Sequence, residues 1–272
     1  MSVPALRFKS FDDEWKETLV LNFAPLQRGF DLPVSTIVKG KFPVVFSNGI
    51  LKHHKEYKAI GPGVVTGRSG TIGNVTYVEE NYWPHNTSLW VTDFKNNIPK
   101  FVYYFYIQFD LSKLGTGSGV PTLNRNDVHS KNILIPSKPE QTKIANFLTA
   151  VDEKITQLTQ KCDLLAQYKK GVIQQIFSQE LRFKDDDGQD FPEWEEFLLK
   201  NALIKNSAKN KNIEFTLVQS ISNKYGFINQ DELFEDRVIA SKDLSNYYII
   251  RKGAFAYNPS PPCVRIVVVS NF

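Results

Sequence analysis

The most regular pattern in the chain begins after Pro139. Apolar side chains fall at Ile144, Leu148, Val151, Ile155, Leu158, Cys162 and Leu165, at successive spacings of 4, 3, 4, 3, 4 and 3 residues. Two such positions in every seven form one seam of a coiled-coil helix. The stripe continues through Tyr168, Val172 and Ile176, with Gly171 as its weak point. Pro139 suits a first helical turn. The pattern predicts a helix over 140–180, about 40 residues and roughly 60 Å long. A stripe this narrow has to be covered, either by a second helix or by the helix's own domain. The candidate helix-pairing residues are Ile144, Leu148, Val151, Ile155, Leu158, Leu165 and Val172.

Residues 1–139 read differently. VTYVEE and SLWVTDF look like short strands, and the aromatic run Phe101 to Phe109 fits a buried strand or a short buried helix. Gly61, Gly63, Gly67, Gly70 and Gly73 crowd the stretch between Ile60 and Val75, and GTGSGVP (Gly115 to Pro121) is a second glycine-rich loop. Glycines this dense mark turns or close backbone approaches. The fold class expected is α+β: a globular mixed domain over 1–139, the long helix over 140–180, a charged linker over 181–192 and a further mixed region over 193–272.

That last region is a partial repeat of the first. LRFK occurs at Leu6 to Lys9 and again at Leu181 to Lys184. Each copy is followed by an acidic stretch and a tryptophan, Trp15 and Trp194. A weaker echo sets Gly63 of KAIGPGVVTG against Gly253 of IIRKGAFAYN. The second unit lacks a counterpart of the long helix, and the chain stops inside the strand-like run VRIVVVSNF. A chain shortened by design or by frameshift is the expectation.

Composition narrows the function classes. Hydrophobic residues make up 42% and charged residues 23% of 272 residues, ordinary for a globular protein of about two domains. Cys162 and Cys263 are too far apart to suggest a metal cluster or disulfide framework, which suits a reducing cytoplasm. No signal-peptide pattern opens the chain, and no apolar run approaches the length that spans a membrane. The net charge is +4, but residues 1–139 hold 16 basic and 11 acidic side chains while the rest is nearly balanced. A basic surface on the first segment suits a polyanion, and an ordinary solvated surface explains it as well.

Four strings together resemble the specificity subunit of type I DNA restriction-modification systems. They are GRSGTIGNVTYV (from Gly67), HNTSLWV (from His85), the stretch from Gly117 to Ile155 that joins the second glycine-rich loop to the helix, and YKKGVIQQIFSQELRFKDDDGQDFPEWEE (from Tyr168). The resemblance implies a first target-recognition domain, a spacer helix and part of a second recognition domain. It implies a subunit with no chemistry of its own, which reads half of a split site in double-stranded DNA. The methyltransferase and restriction subunits it docks would carry S-adenosylmethionine, ATP and Mg²⁺, and this chain would bind no cofactor. The missing second spacer helix implies self-association through the first. A coiled-coil adaptor without a DNA role is the competing reading.

Base readout and phosphate contact use Arg, Lys, Asn, Ser and Thr side chains. Arg68, Ser69 and Thr71 in the Gly67–Thr71 loop are the first candidates, and Lys39, Lys41, Asn86, Thr87 and Ser88 are second-rank candidates. His53 and His54, flanked by Lys52 and Lys55, read as a polar loop that touches phosphate. Thr122 to Asp127 reads as structural. Enzyme signatures are incomplete. GTGSGV lacks the Gly-Lys-Ser/Thr ending of a phosphate loop. Ser260-Pro261-Pro262-Cys263 has Cys where an adenine methyltransferase tetrapeptide carries an aromatic, and Glu14-Trp15-Lys16 lacks an acidic partner site upstream. Neither catalytic residues nor metal ligands are expected.

Overall fold

The run GVVTG at the heart of the first segment is apolar on both faces, and the structure covers both. In the computed structural model, residues 6–117, 119–222, 226–229, 243–257 and 266–268 are described. They form two compact units, 1–182 and 183–272.

The first unit opens with strand β1 (Lys16–Leu19), a helical turn α1 (Val20–Phe23) and β2 (Leu26–Arg28). A hairpin follows, β3 (Phe42–Phe46) and β4 (Gly49–His54), then β5 (Gly63–Gly67), β6 (Val75–Val78), β7 (Trp83–Pro84) and β8 (Ser88–Val91). Strands β2, β8, β5 and β6 make one antiparallel sheet in that order. Strands β4, β3 and β7 make a second, in which β3 and β7 run parallel. Successive residues of a strand face opposite ways. Val64 accordingly joins the main core, while its neighbour Val65 joins Val45, Ala59, Val78 and Tyr82 on the other side.

The aromatic run left open between strand and helix is helix α2 (Pro99–Gln108), started by Pro99. Phe101, Val102, Phe105, Tyr106 and Phe109 recur at helical spacing and pack into the main core with Val20, Phe23 and Leu26. The second glycine-rich loop links β9 (Gly115–Thr116) to β10 (Thr122–Leu123). Asn124 then caps the short α3 (Arg125–His129), its side chain accepting from the Asn126 N–H. Strand β11 (Asn132–Ile135) returns to pair antiparallel with β1.

Helix α4 (Lys138–Phe177) is 40 residues long, so the predicted helix is present, shifted slightly toward the N-terminus. It ends where Gln179 takes a left-handed conformation with φ 63°. Its first turn is rooted in the unit. The Glu140 carboxylate, 1% exposed, accepts from Arg7 Nε at 2.9 Å and Nη2 at 2.7 Å, and from the Trp15 indole at 3.2 Å. Both residues come from the first LRFK…W segment, which gives that repeated motif a physical role. Gln141 is buried beside it and bonds Ile98, Asn97 and Pro136. Arg7→Ala is expected to lower the thermal midpoint of the chain by several degrees, because it strands a buried carboxylate. Arg7→Lys should restore it only in part, since a point charge cannot replace the two-pronged contact; calorimetry on the three proteins checks both.

Beyond this root the Tyr104 hydroxyl bonds Thr149 and Asp152 at 3.2 and 2.8 Å. The helix then leaves the body, and all residues from 150 to 170 are exposed. Ile155 is 57%, Leu165 55% and Leu158 53% exposed, and Val151 39%. Ile144 corrects the expected seam: it packs against the main core of its own unit. Leu148 and Val172 are half-buried. The domain thus covers the first turns of the stripe, and the middle is bare.

In the second unit, β12 (Gln219–Ser222) pairs with β13 (Gly226–Asn229), and β14 (Phe255–Tyr257) with β15 (Ile266–Val268). A strand thus forms at the weaker repeat echo, yet the matched glycines differ. Gly63 is pressed against the Tyr82 ring, whereas Gly253 has φ 85° and open space around it. Ser260 to Cys263 lies outside the described residues.

Candidate nucleic-acid interface

Strand β5 ends at Gly67, and the chain turns there because nothing larger fits. A Cβ on Gly67 would stand 1.8 Å from the Thr71 carbonyl oxygen and 2.7 Å from that of Ser47. The next residues are fixed by backbone bonds from two other segments. Arg68 N–H and Ser69 N–H donate to the Thr87 carbonyl at 3.0 and 3.3 Å. The Arg68 carbonyl accepts from Leu123 N–H at 2.8 Å, and Gly70 N–H donates to Pro121 at 3.3 Å. Three sequence-distant stretches, 67–71, 85–88 and 121–123, therefore meet at one place. The Arg68 side chain is half-buried and makes no hydrogen bond or ion pair among the described residues. Thr71 is exposed beside it.

The His85–Ser88 turn is wired from beneath. His85 Nε2 donates to the Leu32 carbonyl at 3.2 Å, which leaves Nδ1 to accept from Thr87 N–H at 3.3 Å, with Thr87 Oγ1 at 2.9 Å. Thr87 Oγ1 also accepts from Ser47 N–H at 3.2 Å, at the tip of the β3–β4 hairpin. Asn86 donates its amide to Asp31, which also holds Arg28 at 2.8 Å. The Asn86 bond, then Arg28, keep the Asp31 carboxyl below its usual range. Sequence reasoning missed Arg28 and Asp31, since no local pattern ties them to a residue 55 positions away.

Burial pushes His85 below the ordinary imidazole value of 6.5, and does the same to His129, whose Nε2 accepts from Leu26 N–H. The fold favours the neutral form of both rings, and the unfolded chain takes up protons first as pH falls below 6.5. Their contribution is therefore complete above pH 6.5 and lost progressively below it. The thermal midpoint is expected to drop between pH 7.5 and 5, and His85→Asn should flatten part of that drop.

Two expectations are corrected. Ser88 is 0% exposed, with its hydroxyl against the Val45 and His85 carbonyls at 3.2 and 2.7 Å, so it supports the turn and presents nothing to a ligand. His53 and His54 lie on strand β4, not in a loop; His54 is buried edge-on to Trp83, with Nδ1 against the Val38 backbone. Lys39 and Lys41 are exposed but stand apart from the cluster, at the far end of β3 from Ser47. Six residues at about 3.3 Å each separate Lys41 from that tip by roughly 20 Å. Among the described residues, no group of three His, Cys, Asp or Glu is placed to hold a metal ion, and no helix is long and apolar enough to cross a membrane.

Comparison with known proteins agrees with this architecture. The type I restriction enzyme MjaVIII specificity subunit of Methanocaldococcus jannaschii is 27% identical over 124 residues, 42% of this chain and 29% of that protein. The crystal structure of a type I restriction-modification system S subunit from M. genitalium superposes with a TM-score of 0.51 at 19% identity, over 66% of this chain and 49% of that one. The chain thus spans less than a third of the curated relative and about half of the solved one. Residues 27–166, from β2 into the projecting part of α4, match the type I restriction modification DNA specificity domain. The matched region is more than half of the sequence and contains the whole Arg68–Thr87 convergence, and the chain belongs to that family.

Proposed function

We propose that residues 1–139 read one half of a bipartite site in double-stranded DNA, with Arg68, Ser69, Thr71, Asn86 and Thr87 at the reading surface. The observation that carries this is the convergence of the 67–71 and 85–88 turns through the Thr87 carbonyl, which puts a guanidinium, an amide and three hydroxyl side chains on one rigid patch. Arginine forks onto guanine edges, asparagine onto adenine, and hydroxyls onto either. The chain performs no reaction itself on this reading. It docks the methyltransferase and restriction subunits of a cytoplasmic type I complex, and those subunits carry S-adenosylmethionine, ATP and Mg²⁺.

The bare middle of α4 completes the proposal. Its stripe is self-complementary when a second copy runs antiparallel, so two chains would pair their helices and present two identical reading surfaces. The favoured target is then a split palindrome. Selection from a randomised duplex pool by the purified chain should enrich one half-site, repeated in inverted orientation. Arg68→Ala should weaken binding to the selected site by about 1–3 kcal/mol and relax one base position. Recovery of no sequence, with no salt-dependent binding, would leave an adaptor role carried by the helix alone.

A further inference from the structure

Residues 38–58 hold five lysines (Lys39, Lys41, Lys52, Lys55 and Lys58) and one carboxylate, Glu56. The fold gathers them toward one end of the β3–β4 hairpin. Gly40 is the reason. A Cβ there would stand 2.3 Å from Lys55 Cα and 2.4 Å from the His54 carbonyl oxygen, so only glycine lets residues 39–41 lie against the end of β4. Lys55 N–H donates to the Val38 carbonyl at 3.0 Å and fixes that contact. Lys39, Lys41 and Lys55 therefore leave adjacent stretches of backbone.

Two of the ammonium groups are oriented by aromatic rings, Lys41 over Phe42 at 5.1 Å and Lys58 over Trp83 at 5.2 Å. Such contacts hold a cation in place and leave its N–H groups for a second partner. Lys55 reaches Glu56 at 3.5 Å, while Lys39 and Lys52 make no ion pair among the described residues. Lysines guarding an exposed edge strand would account for Lys52 alone, because Lys39, Lys41, Lys55 and Lys58 lie off β4. Like charges brought together by the backbone repel unless an anion lies among them.

We propose that this end of the hairpin grips DNA phosphates, as a site separate from the base-reading patch. The inference rests on the DNA-recognition reading and adds a division of labour to it. The hairpin joins the two sites physically, since its tip residue Ser47 bonds Thr87. Their separation of roughly 20 Å corresponds to about six base-pair steps along a strand. The lysines would then set affinity and register, and the turns would set sequence.

The test uses the full chain carrying Lys39→Gln, Lys41→Gln and Lys55→Gln together, on a short duplex of mixed sequence, across about 50–200 mM salt. These side chains are exposed, and an unchanged thermal midpoint confirms the fold. The logarithm of affinity should fall less steeply with the logarithm of salt, by about 2–3 units of slope, near 0.9 for each phosphate contact removed. Base preference in the selected pool should stay as in the parent. A variant that keeps the parent's slope and affinity overturns the phosphate grip and leaves DNA recognition standing. A parent without salt-dependent binding overturns both.

Discussion

The parent chain is expected to scatter light as a dimer, and a chain carrying Ile155→Lys together with Leu158→Lys as a 31.1 kDa monomer, both at micromolar concentration. The two positions lie near the middle of the bare part of α4, and each is more than half exposed within its own unit. In an antiparallel pair the centres of both helices meet, so the double substitution places four ammonium groups in one short stretch of seam. Each replaces an Ile or Leu whose burial is worth about 1.5–3 kcal/mol. Loss of four such side chains removes at least ~6 kcal/mol, more than a ten-thousand-fold weakening. Since neither residue touches the domain core, the unfolding of the globular part should be unaffected. A monomeric parent would overturn the pairing proposal.

The second large effect is expected from Gly67→Ala. The new methyl group would meet two backbone carbonyl oxygens, at 1.8 and 2.7 Å, and neither can swing aside as a side chain does. Overpacking of this kind costs about 1–3 kcal/mol, and two backbone clashes put this case at the upper end. For a unit of this size, ~3 kcal/mol lowers the thermal midpoint by roughly 6–12 °C. DNA binding should fall further than stability alone requires, because Gly67 positions the peptide that bonds Thr87. Gly70→Ala is the control. Gly70 has φ 79° with nothing within 4 Å, so the change costs only the left-handed backbone penalty of about 1–2 kcal/mol. Equal losses in the two variants would refute the close-approach argument.

Legibility in the sequence followed the range of the interactions. The helix could be read because its heptad spacing is written within one contiguous stretch. Strands β6 and β8 were visible for a similar reason, as runs of β-branched and aromatic residues between turn formers. Phe101 to Phe109 was ambiguous because a run of aromatic and aliphatic residues with polar Gln108 alone has no clear polar phase; Pro99 and the pattern of buried rings settle it as a helix. Arg68, Asn86 and Thr87 could be named from composition, but their union depends on the Thr87 carbonyl, a backbone acceptor that carries no residue signature. Ser88 was misjudged because a serine that bonds a ligand and one that bonds its own turn have the same letter. Lys39 and Lys41 could be named as second-rank DNA contacts, but no sequence pattern showed that the length of β3 holds them apart from the turns. The role of the LRFK…W motif needed Glu140, which lies 133 residues from Arg7.

That ion pair has a mechanical consequence. Helix α4 is a cantilever, anchored in its first turns by Arg7, Trp15 and Gln141 and further along by the Tyr104–Asp152 hydrogen bond, with about 25 residues, or roughly 38 Å, beyond it. A lever of that length converts a tilt of about 5° at the anchor into about 3.4 Å at the tip, one base-pair step along DNA. If two chains pair as proposed, the accuracy with which two half-sites are held apart would be decided at the clamp, by the stiffness of one buried carboxylate and the three N–H groups around it.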